Sequence, residues 1–216
     1  MIARVAQFRF PDLRHREEAE RNGSVRVGPS LARQPGFQAI YYGRTGELEA
    51  VSISLFEDRE SADAAAITMN AQPLLDGQVP EMLPTPDAVT FYEVVTSVVR
   101  DEVPTAGRLG YLTLAPGRVE AGAERWGVEG FGPMLERLPG LCQAYFLRTP
   151  DSATRIALTF WTSAKALEAG GAAVGSWQAR EAAAGRPPAF TGTEASILTD
   201  LQVAIAGVSS TMPVVV

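Results

Sequence analysis

The sequence predicts an α+β protein built from two ferredoxin-like βαββαβ repeats packed sheet to sheet. Three observations lead there. First, QPGFQAIYYGRTGELEAVSISLF, around Pro35 and ending at Phe56, aligns without a gap on LPGLCQAYFLRTPDSATRIALTF, around Pro139 and ending at Phe160, about 104 residues later. At the same offset Arg14, Gly23, Gly28 and Pro29 meet Arg118, Gly127, Gly132 and Pro133. So long a period suits a duplicated domain better than a solenoid. Second, each half carries the same order of strand-like and helix-like segments, and βαββαβ is the ferredoxin-like plan. Third, the strands are apolar on both faces, with Val51, Ile53 and Leu55 on one side and Phe56 on the other. A face that helices leave bare must be covered, and the other half is the available cover. The halves are read as repeats 1–102 and 107–208, and which face meets the helices stays open.

In order, residues 2–10 alternate and read as a strand. Residues 12–34 are helical, with candidate breaks at Asn22-Gly23-Ser24 and Gly28-Pro29, and Pro35-Gly36 ends the helix. Residues 37–43 and 49–56 form a hairpin around Arg44-Thr45-Gly46-Glu47. Asp58 or Ser61 caps a second helix that runs to about Pro73. A loop with Pro80, Pro84 and Pro86 leads to a strand at 89–99. The second half repeats this plan: strand 108–114, helix 117–138, hairpin 141–160, helix 163–184 and strand 195–206. The tail from Ser209 is loose or docks as an extra strand.

Composition narrows the class of function. The 216 residues are 46% hydrophobic and 20% charged, with a formal net charge of -6. Acidic chains repel phosphate backbones, so nucleic acid is not an expected partner. No apolar run approaches the ~20 residues that cross a bilayer, and the N-terminus carries Arg4 and Arg9 within an alternating segment, unlike a signal peptide. A lone cysteine, Cys142, forms no intramolecular disulfide, and a cytoplasmic location is expected. No metal-ligand cluster and no Gly-rich phosphate loop is present.

The run strand, helix, Pro35-Gly36-Phe37, hairpin, then Phe56-Glu57-Asp58-Arg59-Glu60 resembles the antibiotic biosynthesis monooxygenase (ABM) family. Its second copy is Pro139-Gly140-Leu141 with Phe160-Trp161-Thr162-Ser163. The resemblance implies the dimeric α/β-barrel superfamily, here as a tandem duplication forming an intrachain barrel, a monomeric pseudo-dimer or a homodimer. It implies an oxygen-dependent monooxygenase that acts on an aromatic or polyketide-like small molecule without a cofactor. A stress-related or small-molecule-binding protein without turnover is the alternative, and a purely structural pseudo-dimer is a third. Haem-binding relatives carry their histidine on the later helix, where SADAAAITMNAQ has none, so haem is not expected.

His15, the only histidine, and Asn22 are the candidate catalytic residues. Asn22, Ser52, Ser54, Tyr42 and Gln7 are the candidate substrate-binding residues, and no metal ligands are assigned. They come from comparing the halves. His15, Asn22, Ser30 and Gln34 stand where the second half has Val119, Trp126, Met134 and Leu138, on one helix face. Ser52 and Ser54 stand against Ile156 and Leu158, and Gln7 against Tyr111. A polar face left in a dry core is costly, so it is expected to line water or ligand. Trp126 is expected to fill the equivalent space in the second half. The competing reading is a helix broken and exposed at Asn22-Gly23. Cys142 is expected to be buried and inert, Arg44 and Arg148 solvated, and Glu17, Glu18 and Glu20 an exposed helix face.

Overall fold

The structure, a computed structural model, describes residues 1–70, 84–115, 127–149 and 154–205. The residues read as the start of the second half's first helix, among them Val119 and Trp126, those around Pro73 and Pro80, and those from Ser209 onward lie outside them. The chain forms two compact units, Met1–Tyr92 with Asp200–Val216, and Glu93–Thr199.

In the first unit, β1 (Ile2–Arg9) pairs antiparallel with β3 (Glu49–Phe56), which pairs antiparallel with β2 (Phe37–Arg44). The Asp87 N–H donates to the Gln7 carbonyl at 2.9 Å and seats the start of β4 (Ala88–Val99) beside β1. The last residues of β8 (Phe190–Ile205) lie beside β2. The strand order β4-β1-β3-β2 is that of a ferredoxin-like sheet.

Helix α1 (Leu13–Asn22) starts at Asp12, whose side chain accepts the His15 N–H. The chain does not break at Asn22-Gly23. Gly23 keeps right-handed helical angles, and the helix widens into a π-helical turn, Gly23–Val27, before tightening again as α2 (Gly28–Leu31). Asn22 is only 4% exposed, so the broken and exposed alternative does not hold. Helix α3 (Arg59–Asn70) is capped by Asp58, which accepts the Ser61 N–H at 2.8 Å.

The second unit follows the same plan. Strand β5 (Ala106–Leu114) pairs with β8 and with β7 (Thr154–Trp161), and β7 pairs with β6 (Leu141–Arg148). Residues Glu93–Val99 of β4 pair with β6. A π-helical turn, Gly127–Phe131, again leads into a short helix, α4 (Gly132–Leu135). Helix α5 (Ala164–Ala183) is capped by Ser163. Strand β8 starts earlier than its sequence pattern suggests. No helix among the described residues is long and apolar enough to cross a membrane.

The strand ladders correct the gapless alignment. Phe37 faces Phe56, whereas Leu141 faces Trp161; Tyr42 faces Ser52, whereas Phe146 faces Ala157. The second hairpin is therefore one residue longer, between Arg148 and Arg155. On β7 the counterparts of Ser52 and Ser54 are Ala157 and Thr159, not Ile156 and Leu158. A one-residue slip in a strand exchanges its faces, so the polar contrast expected on this strand compared opposite sides of the sheet.

Alternation divides the first sheet cleanly. Arg4, Phe8, Ser52, Ser54 and Phe56 face a cavity and the helices. The other face holds Ala3, Val5, Tyr41, Val51, Ile53 and Leu55, all buried.

The turn that orders the helix and the hairpin is Pro35-Gly36. Gly36 has φ 71°, its carbonyl accepts the Glu57 N–H at 2.7 Å, and an added Cβ would overlap the Ser61 side chain. Gly140 repeats this with φ 74° and the Thr162 N–H. We expect Gly36→Ala to lower unfolding stability by about 1–3 kcal/mol, from left-handed strain plus overlap. Urea denaturation checks this, and an unchanged midpoint would contradict the turn geometry.

Candidate functional site

In the first unit a cavity of about 240 Å³ lies between the sheet and the helices. Its floor is set by cross-strand pairing. Arg4 on β1 stands directly opposite Ser54 on β3, and Ser54 stands opposite Ile40 on β2. In the next row, Ala6 and Tyr42 flank Ser52. From the helical side, Asn22 ends α1, and Arg26 and Val27 follow in the π-helical turn. Small residues of α3, Ala62 and Ala65, leave the space open, and Pro84 and Pro86 border it.

Ser52 and Ser54 are 8% and 3% exposed. Among the described residues, neither hydroxyl has a hydrogen-bond partner, and Arg4 has neither an ion pair nor a hydrogen bond. Buried polar side chains are normally satisfied, so two buried serines and a half-buried guanidinium converging on one cavity are what a site for a polar ligand leaves behind. Burial lowers the Arg4 guanidinium below its ordinary pKa, and among the described residues no anion is paired with it. A guanidinium remains charged under these conditions. The cavity therefore presents an uncompensated cation, flanked by hydroxyl donors, to any small anion that enters.

Of the residues singled out in the sequence, Asn22, Ser52 and Ser54 are brought together here. The rest are not. Gln7 falls on the opposite side of β1 from Arg4 and Phe8, because strand side chains alternate, and it is exposed. His15 is outside the lining: its Nδ1 lies 2.8 Å from Asp12 Oδ1, and the pair closes the start of α1. Tyr42 shares the cavity's face of the sheet but packs beyond its end, with Phe10, Ala19 and Ala50. Burial first, and Glu20 second, push the Tyr42 phenol up. Arg4 and Arg26 were not singled out. The signal was present for Arg4: a charged residue between Ala3 and Val5 in an alternating strand.

The solvated reading of Arg44 is also corrected. Its Nε and Nη2 donate to both carboxylate oxygens of Glu20 at 2.6 and 2.7 Å, and its Nη1 lies 2.7 Å from Asp200 Oδ2. Glu20 is thus half-buried and paired, unlike the exposed face expected of it.

The second unit also has a cavity. A cavity of about 470 Å³ lies between its sheet and α5, with Arg108 opposite Thr159 on its floor, in the register positions of Arg4 and Ser54. Trp126, expected as the filler, lies outside the described residues. No group of three His, Cys, Asp or Glu is placed to hold a metal among the described residues.

No protein-family model and no curated protein matches the sequence. Solved structures do. A proposed monooxygenase from Fusobacterium nucleatum has a TM-score of 0.66 at 8% identity, over 94% of each chain. One from Lactobacillus acidophilus has 0.59 at 11% identity, over 95% of this chain and 96% of that one. A haem-binding protein from Thermus thermophilus has 0.54 at 11% identity, over 92% and 90%. At such identities the likeness establishes the fold.

Two outcomes follow from these contacts. Glu20→Ala leaves the half-buried Arg44 without its bidentate partner and should cost about 1–3 kcal/mol, reduced from a fully buried pair by solvent screening; chemical denaturation reads it. Cys142 is buried in β6, and burial, then Glu102, push its thiol up to about 11 against the pull of Arg100. It should react with a disulfide reagent at pH 8 only when the protein unfolds; prompt native labelling would contradict the burial.

Proposed function

We propose that this chain is an oxygen-dependent monooxygenase of the antibiotic biosynthesis type, acting on an aromatic or polyketide-like small molecule that binds as its anion in the first unit's cavity. The observation that carries this reading is the row Arg4–Ser54, with Ser52 beside it and Asn22 above, in a cavity otherwise apolar. The fold shared with two proposed monooxygenases supports it as analogy. An ionised, electron-rich phenol reacts with oxygen without a flavin or metal. A phenol plus O₂ gives a quinone plus water: one oxygen atom becomes the new carbonyl, the other leaves as water, and the phenol supplies the electrons. The residues hold the oxyanion rather than carry the redox chemistry. Arg4 favours the ionised phenol by charge, and Ser52 and Ser54 donate to its oxygen.

Among the described residues the lining of the first unit's cavity has no His, Cys, Met or Tyr to bind iron axially. The duplication itself, the repeats 1–102 and 107–208, their sheet-to-sheet pairing as an intrachain barrel, and a cytoplasmic pseudo-dimer or homodimer belong to the same proposal. The buried second face of the sheet supports the pairing. A second reading, a small-molecule-binding or stress-related protein without turnover, is favoured by one observation. Among the described residues the cavity lining has no carboxylate or histidine to act as a base.

Oxygen uptake with 1-naphthol separates the two. The enzyme reading expects one O₂ consumed per 1,4-naphthoquinone formed, with the rate falling roughly ten- to a hundredfold in Arg4→Gln through loss of one charged hydrogen bond. Saturable binding without uptake assigns the chain to the second reading. Uptake unaffected by Arg4→Gln overturns the assigned site.

A further inference from the structure

We propose that Asn22 is a deamidation site, and that its conversion to aspartate shuts the first unit's cavity to anions. The second part rests on the reading of that cavity as an anion site. The chain has two asparagines, and only Asn22 is followed by glycine. Without a Cβ, glycine leaves its main-chain nitrogen unshielded and free to turn toward the preceding side chain. In an Asn-Gly pair that nitrogen, once its proton is lost, attacks the asparagine Cγ. The new Cγ–N bond closes a five-membered succinimide, the Cγ–Nδ2 bond breaks, and ammonia leaves. Water then opens the ring at one of its two carbonyls, giving aspartate or its β-linked isomer. No oxidant or reductant takes part.

Helical structure opposes the first step. Asn22 has φ -60° and ψ -43°, and Gly23 continues with φ -57° and ψ -51°. These angles hold the Gly23 nitrogen out of the plane of the ring that has to close. Its N–H is also engaged, by the carbonyls of Ala19 and Glu20. The segment that keeps these angles is nonetheless a weak one. The π-helical turn begins at Gly23, and Gly28 follows its end; the Gly28 N–H reaches back to the Gly23 carbonyl. Glycine lowers helix stability, and Pro29 has no N–H to give to the turn before it. Opening at this junction is local and leaves the sheet in place. Asn22 therefore reacts slowly in the folded protein, from the opened turn.

The product forms in the wall of the cavity. Asn22 is 4% exposed and lines the space together with Arg4 and Arg26. Among the described residues the lining has no carboxylate. An aspartate at this position brings one in, and its charge offsets the cation that an incoming phenolate needs. The β-linked isomer lengthens the main chain by a methylene and interrupts the helix at the same point. Either product removes the anion site.

The full-length protein, held at mildly alkaline pH, reports conversion at Asn22 by peptide mass spectrometry, with the urea-unfolded chain as reference. The expected result is conversion in the folded protein roughly ten- to a thousandfold slower than in urea. Saturating 4-nitrophenol should slow it further, and the capacity to bind 4-nitrophenolate should fall in step with conversion. Asn22→Asp should bind 4-nitrophenolate at least about tenfold more weakly than Asn22→Ala, which loses the amide without adding a charge. That difference should disappear when Arg4→Gln is added to both. No conversion in the folded protein, conversion as fast as in urea, or equal binding by Asn22→Asp and Asn22→Ala overturns the proposal. If Asn22→Asp fails to fold by circular dichroism, the parallel between conversion and lost binding in the unsubstituted protein decides alone. An unsubstituted protein that binds no 4-nitrophenolate overturns the anion reading and the closure together. One that binds it equally well before and after conversion overturns the closure alone.

Discussion

A guanidinium with no counter-charge among the described residues, set opposite a hydroxyl by strand register, is the constraint that gives the first cavity its character. Arg4 and Ser54 are cross-strand neighbours on one face of the β1–β3 ladder, and Ile40 continues the row on β2. The helices meet the same face and close over it. Moving β3 by one residue would replace Ser52 and Ser54 by Val51 and Ile53, and the polar row would become dry core. The register is held by the apolar pattern on the opposite face and by the Pro35-Gly36 turn, whose carbonyl ties the start of β2 to Glu57 just after β3.

Much of the fold is legible in the sequence, because strand alternation, Pro-Gly punctuation and capping residues are local signals. Most described β-strands and helices fall close to their patterns, and Asp58 and Ser163 cap where an Asp or Ser precedes a helix. What was not legible depends on a length difference. One extra residue between Arg148 and Arg155 leaves the letter-by-letter match of the hairpins intact while it exchanges the faces of the third strand. The comparison of Ser52 and Ser54 with Ile156 and Leu158 thus reached the right residues by a partly wrong route. Asn22 was readable from helical spacing, and the π-helical turn keeps it buried despite a dipeptide that usually marks a turn. Gln7 and Arg4 differ only in parity along one strand, so choosing Gln7 chose the wrong face. His15 attracted attention as a unique titratable group, yet its spacing from Asp12 matches a helix cap.

A tension between stability and space appears in the first unit. Ser52 and Ser54 give up hydrogen bonds and Arg4 gives up water, each at a cavity wall. Where polar groups serve only the fold they are paired: Glu20 with Arg44, Asp12 with His15, Arg148 with Glu93 at 2.8 Å.

The central claim, that the first cavity stabilises an anion through Arg4, is tested most directly by the ionisation of a bound chromophoric phenol. 4-Nitrophenol titrated spectrophotometrically in the presence of saturating protein should ionise at lower pH than in water, because the cation and the hydroxyl donors favour the phenolate. The shift should vanish in Arg4→Gln and persist in Arg108→Gln. A bound phenol that ionises at higher pH than in water would contradict the account, since that is the behaviour of an apolar cavity.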